Sequence, residues 1–303
     1  MSQPVAVPPS NRIASHGIEL TTEQVSRILV QPLEQASTFL ASGVRIFDTT
    51  GPLRFPSAPD FDLTATPFTG ESQLIPEAEA TYDEISLMPS TMKSVKVITR
   101  FSNELARASV VSLDSVLQSR LVTEVAAKLD KQFYGSTGDG ITEPKGMFGW
   151  TGTSSAPVGG ALDLDAVLEA QGVLLAANAN VNNLRLYLNP AQYIALRSEK
   201  ATPDGRYQLQ PDATESAGLR ILGMPVTLSS FIPTGSAAIA DPSQIAVARD
   251  ASPSIKLLTE RYADYDEQAI RVVSRYDVAP LNPKAVCLLT GITAPAASPP
   301  AGT

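Results

Sequence analysis

The chain is 303 residues long with a net charge of −8 and 43% hydrophobic residues, enough for one large domain or two moderate ones with a real core. A single histidine, His16, and a single cysteine, Cys287, exclude an internal disulfide framework and a clustered Cys/His zinc site, and leave only one imidazole for a Ser–His–Asp or Cys–His relay. The acidic balance opposes a dedicated nucleic-acid binder, whose affinity comes from Lys and Arg neutralising phosphates.

The N-terminus, MSQPVAVPPSNR, is polar and proline-rich, unlike a secretory signal. Residues 1–11 and the closing APAASPPAGT (294–303) carry too little apolar surface to order themselves. From Thr21 to about Leu40 the pattern is helical: Thr21 and Gln24 fit a capping box, and Val25, Ile28 and Leu29 share a face. Pro32 interrupts it, which predicts two short pieces or a kinked helix. Residues 43–56 read as a strand followed by a turn.

Between Arg54 and Lys93 there is no basic residue, while Asp60, Asp62, Glu71, Glu77, Glu79, Asp83 and Glu84 all fall in that window beside five prolines, Pro56, Pro59, Pro67, Pro76 and Pro89. The stretch predicts an extended acidic excursion with weak hairpin character. An excursion of that length inside a compact domain points to an interaction arm or a disordered segment, a solvated surface loop being the plainer alternative. Ser94–Ser102 then alternates as a strand and runs into a helix start at Asn103-Glu104.

Residues 112–134 form the clearest helix. Leu113, Leu117, Leu121, Val125, Leu129 and Phe133 recur every fourth residue, Val116 and Val122 widen the stripe, and Gly135 ends it. At 1.5 Å per residue it spans roughly 34 Å, enough for the spine of a subunit. The glycine-rich loop Gly135–Gly146 lacks the Gly-Lys-Ser/Thr of a phosphate loop and reads as a structural turn. Ser90-x-x-Lys93 matches a penicillin-binding motif without its partner motifs and reads as a chance match. The 31 Asp and Glu show no metal-loop spacing, and no glycine-rich dinucleotide turn occurs.

The second half reads as an α/β unit. Leu164–Ala177 is a helix with Val167, Ala170, Val173 and Leu174 inward, and Leu184–Pro190 is a short buried strand. Asn189 caps a further helix with Pro190 at its first position, presenting Tyr193, Leu196 and Arg197 and ending before Pro203-Asp204-Gly205. Short strands follow in RILGMPVTLS, SAAIADPSQIAVARD and SIKLLTE. The stretch QAIRVVSRYDVAPLNPKAVCLLTGI supplies two more, the first setting Ile270 and Val272 against Arg271 and Val273, the last holding Cys287 as a small core residue. No apolar run approaches the roughly 18–20 residues of a membrane span.

This ordered series resembles the major capsid proteins of tailed double-stranded DNA phages, the Hong Kong 97 fold. The likeness lies in GESQLIPEAEATYDEISLMP followed by KSVKVITRFSNELA, in KLDKQFYGSTGDGITEPKGMF, in LYLNPAQYIALRSEKATPDGRYQLQ with LRILGMPVTLSSFIPTGSAAIADPSQIAVARD, and in YDEQAIRVVSRYDVAPLNPKAVCLLTG, over roughly residues 20–292. It implies an α+β fold with an N-terminal arm (1–45) and a strand with an extended β-hairpin loop lying over a neighbouring subunit (46–92). A peripheral domain (93–162 and 246–292) would carry the spine helix of about 112–134, followed by an axial α/β domain (163–245) and a disordered tail (293–303).

The implied function is a non-enzymatic subunit that self-assembles into pentamers and hexamers of an icosahedral head, enclosing DNA without reading its sequence. No catalytic, cofactor-binding or metal residue is implied. The expected partners are further copies of the chain, a separate scaffolding protein (the chain opens almost directly on the arm), a portal and a decoration protein. The expected location is the virion capsid, after assembly in the host cytoplasm. Some relatives weld their shells through an extended-loop lysine, but Phe55–Met92 holds none and Lys93 sits at the loop's base, so a shell without cross-links is expected. Two alternatives stand beside this reading: an encapsulin-like compartment with residues 21–40 as an inward helix, and a carboxylate-dependent hydrolase with convergent Asp or Glu.

Overall fold

The structure, a computed structural model, describes residues 31–56, 71–72, 84–104, 113–198, 219–250, 254–258 and 260–293. The expectations for both tails, His16, residues 21–30, most of the acidic excursion, residues 105–112 and Pro203-Asp204-Gly205 lie outside these, apart from Thr293 at the tail's edge. The fold is α+β, as expected.

Helix α1 (Gln31–Ala36) holds Pro32 in its first turn, where a missing N–H costs nothing. A 3-10 turn, Leu40–Ser42, follows and closes at Gly43, whose φ of +96° suits glycine. Strand β1 (Arg45–Thr49) leads to β2 (Leu53–Pro56), which pairs antiparallel with β3 (Glu84–Leu87) at the root of the acidic excursion. Strand β4 (Val95–Ser102) precedes the long helix α2 (Leu113–Phe133), within one residue of its expected bounds at each end. Leu121, Val122, Val125, Ala126, Leu129 and Phe133 of α2 are buried, so the four-residue stripe is the face that meets the core. Each of the Leu, Val and Phe side chains contributes about 1.5–3 kcal/mol relative to exposure, and Ala126 less.

Beyond β5 (Ser154–Pro157), helix α3 (Leu164–Ala176) starts at Asp163, whose carboxylate accepts from Ala166 N at 2.8 Å. Val167, Ala170 and Leu174 are fully buried, and Val173 is half-buried against the same core. Strand β6 (Arg185–Leu188) runs into α4 (Pro190–Ser198), capped by Asn189 Oδ1 accepting from Ala191 N, as its sequence predicts.

Strands β7 (Arg220–Ile221), β8 (Met224–Leu228), β9 (Ser236–Ala240), β10 (Ile245–Asp250) and β11 (Ser254–Leu258) follow. The final stretch makes three strands rather than two: β12 (Glu267–Ser274), β13 (Tyr276–Pro280) and β14 (Val286–Thr290). The additional break falls at Arg275, whose carbonyl accepts from Asp250 N at 2.9 Å. No Gly or Pro marks it, because the chain there changes sheets without reversing.

The strands form a six-stranded sheet β5-β14-β9-β6-β8-β7, two three-stranded sheets β1-β10-β13 and β11-β12-β4, and the β2-β3 hairpin. The six-stranded sheet is covered on both faces, which explains the nearly continuous apolar runs of β6, β9 and β14. Tyr187, Ala238, Ala240, Val286 and Leu288 face the core built on α2, while Leu186, Ala237, Ile239, Cys287 and Leu289 face the core beneath α3 and α4. This sheet crosses the expected segment boundaries at 162/163 and 245/246, since β5 and β14 hydrogen-bond into the same sheet as β6, β8 and β9.

Candidate assembly interface

Three features control how the extended parts of the chain are held. The first anchors the N-terminal segment to the spine helix. Asp130 of α2 is 3% exposed and accepts four hydrogen bonds from one short stretch: Ser37 Oγ, Thr38 N (2.9 Å), Thr38 Oγ1 (2.8 Å) and Phe39 N (3.3 Å). Four donors offset the cost of desolvating this buried carboxylate and favour one arrangement of the two segments. Phe39 packs edge-on against Tyr134 and tilted against Phe133, and Tyr187 Oη donates to Ser42 Oγ at 3.1 Å. Burial pushes the Tyr187 phenol up to about 12.

A second tie joins α1 to the β1–β10 pair. Arg249 lies opposite Asp48 in parallel register and grips it with two hydrogen bonds, Nε at 2.6 Å and the terminal nitrogen at 2.9 Å, while its other terminal nitrogen meets Glu34. The bidentate guanidinium lowers the Asp48 pKa, and the hydrogen bonds to the Asp48 carboxylate raise that of Arg249.

The hairpin root is the second feature. Leu53, Phe55, Leu87, Met88 and Met92 pack on Ala246 and Ala248 of β10, and Phe47 meets Phe55 at 5.0 Å between ring centroids. Met88 leaves the hairpin with φ of +56°, a left-handed conformation that costs a side-chain-bearing residue about 1–2 kcal/mol. Its N–H donates at 2.8 Å to Oδ2 of the buried Asp277, whose Oδ1 accepts from Val278 N. Burial pushes the Asp277 carboxyl up to about 6, against the pull of those two N–H groups. A two-stranded ribbon is marginal alone, so this buried base is what fixes its direction.

The third feature is an open groove of about 640 Å³ between α2 and β4. Val95 and Val97 of β4 and Leu121 and Leu129 of α2 form its apolar floor, and Lys93, Lys96, Arg120 and Lys128 stand around it against Glu124 and Glu143. Lys93–Glu143 and Arg120–Glu124 are exposed pairs at 3.9 Å, too loose and wet to neutralise the rim.

The loop Gly135–Gly146 is a turn, as its sequence predicts. Asp139 accepts from the N–H groups of Ile141, Thr142 and Glu143, which holds its carboxyl far below the usual carboxylate range. Gly146 approaches so closely that a Cβ there would sit 2.2 Å from Gly135 O, so the glycine is required by contact with the end of α2. Cys287 is fully buried, and desolvation pushes its thiol up to about 11. Lys93 lies at the start of β4 with its N–H donating to Thr142 O. Among the described residues no group of three or more His, Cys, Asp or Glu could hold a metal, and no helix is long and apolar enough to cross a membrane.

Sequence reasoning missed Asp130, Asp277 and Arg249. Asp130 carries a signal, since it lies four residues after Ala126 and three before Phe133 on the buried face of α2. Asp277 and Arg249 pair across strands distant in sequence and carry none.

Residues 19–291 match the phage capsid family. The chain belongs to this family. Its fold is that of solved relatives of low identity. The capsid of a native GTA particle is 18% identical with a TM-score of 0.65, covering 95% of this chain and 96% of that one. A protein of Microbacterium phage Oxtober96 is 12% identical with a TM-score of 0.64 over the same shares, and one of Mycobacterium phage Bobi is 15% identical at 0.61, covering 95% of each chain. No curated protein matches the chain by sequence. The family assignment makes the chain a structural capsid protein, and the expected Hong Kong 97-like architecture agrees with these neighbours over nearly the whole length.

Proposed function

We propose that this protein is the major shell subunit of a tailed phage, forming pentamers and hexamers that close into an icosahedral head around double-stranded DNA. The observation that carries this reading is the phage capsid family match over 19–291. The GTA relatives, described as capsids of particles, support self-assembly into a shell. Residues 1–45 act as an arm, 46–92 as an extended loop over a neighbouring subunit, 93–162 with 246–292 as the peripheral part and 163–245 as the axial part. The Asp130 anchor and the Asp277 root suit this division, because each fixes an extended segment at its base. The partner classes are further copies, a scaffolding protein, a portal and a decoration protein, and the mature location is the virion capsid after assembly in the host cytoplasm.

The shell is held without covalent welding, since Phe55–Met92 supplies no lysine amine. Negative-stain microscopy of the expressed protein, alone and with a scaffolding partner, tests the proposal. Closed shells built of capsomers are expected, and a protein that stays monomeric under both conditions would overturn it. Shells filled with a cargo protein in place of DNA would favour the compartment alternative. Denaturing gels of mature particles should show monomer alone, and a covalent ladder would refute the absence of cross-links.

A further inference from the structure

The β2–β3 root rests on a surface that gives it little grip. Ala246, Ala248 and Ala279 offer only methyl groups to Leu53, Phe55, Leu87, Met88 and Met92 above them. Elements lock together where side chains interdigitate, whereas alanines beneath two adaptable methionines bury apolar area without fixing a position. Direction therefore depends on the hydrogen bond from Met88 N to Asp277 Oδ2 at 2.8 Å, and both residues are buried. Two features load this tie. Met88 is held at a φ of +56°, a cost that an extended backbone relieves. A cavity of about 190 Å³, lined in part by Thr49, Thr50, Met88, Ser90, Asp250 and Arg275, opens beside it. Its polar walls suit water, and its volume leaves the root room to move.

The surroundings of Asp277 are apolar on every side. Ala248 of β10 stands opposite it and Phe47 of β1 lies beyond, while Met88 and Leu87 cover it from the hairpin. The charged residues on the same sheet face are Arg45, two positions along the strand and exposed, and Asp250 and Arg275 beside the cavity. On the hairpin side, Arg54 and Glu84 pair with each other at 3.1 Å, and Lys93 meets Glu143 beyond Met92. Burial therefore governs the carboxyl, opposed by the N–H groups of Met88 and Val278, and pushes it up to about 6. We infer that Asp277 is a proton-linked catch: protonated, it keeps the β2–β3 root seated on β10, and ionised, it shifts the root toward a released position where the carboxylate meets water. A seated carboxyl titrates near 6 and a solvated one at 3.8, so release is least below pH 3.8, grows as pH rises and levels off above about 6, by about 150-fold in all. The catch belongs to the single subunit. Only its consequence, that pH sets the aim of the loop reaching a neighbour, rests on the shell reading above.

Hydrogen exchange at the Met88 amide, followed from about pH 4.5 to 7.5 in one assembly state, reads the release directly, because this N–H is the group the catch holds. Its protection factor, which divides out the chemical exchange rate, is expected to fall about 25-fold between those limits and to flatten toward the upper one. The amides of β14 should stay more protected at every pH. Asp277→Asn keeps an acceptor for Met88 N but does not ionise, so its Met88 protection should not change with pH. A flat wild-type profile, the same fall in the variant, or Met88 exchange that only tracks β14 through global unfolding would each overturn the inference. Should the variant fail to fold, the wild-type profile decides alone, since a fall that continues steadily above about pH 7 belongs to another group. Particle formation is scored separately. Closed shells without pH-dependent exchange sink the catch and leave the shell reading intact, and pH-dependent exchange in a protein that never assembles does the reverse.

Discussion

Replacing Asp130 with alanine removes the acceptor on which four donors of the N-terminal segment converge. Each hydrogen bond to a charged group contributes about 1.5–3 kcal/mol, but the four share one carboxylate and do not add. What remains after the change is a buried Phe39 N without its acceptor and a Ser37 Oγ that keeps only the hydrogen bond it accepts from Leu40 N, next to a small cavity. Each buried donor left unsatisfied typically costs about 1–3 kcal/mol, so a loss of about 3–5 kcal/mol is expected here. The assay is urea denaturation at matched protein concentration, since assembly shifts apparent stability. Trp150, the only tryptophan, reports it by fluorescence because it is buried in the same core as Phe39 and Phe133. Should Asp130→Ala fail to fold, Ser37→Ala removes one donor to Asp130 together with the acceptor of Leu40 N, Thr38→Ala removes one donor together with the contact to the Tyr134 hydroxyl, and each is expected to cost about 1–2 kcal/mol. A loss under about 1 kcal/mol for Asp130→Ala would refute the claim that this carboxylate holds the segment on the spine helix.

Further outcomes rest on other parts of the fold. Asp277, raised from 3.8 to about 6, favours the folded state most when protonated, so its contribution is fully present below pH 3.8 and is lost as pH rises through about 6, roughly 3 kcal/mol in all. The difference in unfolding free energy between wild type and Asp277→Asn should therefore change across that window, and a flat difference from pH 4 to 7 would contradict it. Gly146→Ala forces a Cβ onto Gly135 O and should cost about 1–3 kcal/mol in thermal or chemical denaturation, whereas Gly159→Ala, in open space, should be close to neutral. Cys287 should resist thiol reagents in the native protein at pH 8 and react fully in denaturant; rapid native labelling would mean that the β14 core is open.

The family is legible in the amino-acid sequence because it is written in order and punctuation. The four-residue stripe of α2, the Asn189-Pro190 start of α4, the acidic stretch without a lysine and the near-absence of His and Cys are local facts of composition and spacing. Local periodicity fixes which side chains share a face, so the bounds of α2 emerge within one residue. What local pattern cannot carry is which distant strand a strand will join. The break at Arg275 sends β12 to β4 and β13 to β10, with no turn residue to announce it. The two-sided sheet that draws β14 together with β6 and β9 is equally hidden, because an apolar run shows that a strand is buried without naming its neighbours.

The residues that hold the arms divide the same way. Asp130 is readable as a charge on a buried helix face, although its partners at Ser37–Phe39 are not. Arg249 with Asp48 and Asp277 with Met88 exist only because parallel register and strand order bring together residues 201 and 189 positions apart. The sequence by itself therefore determined the family, the helices and the charge of the extended segment. The tertiary structure alone decided where that segment is clamped and that a cationic groove stands open between α2 and β4, since both are products of long-range pairing.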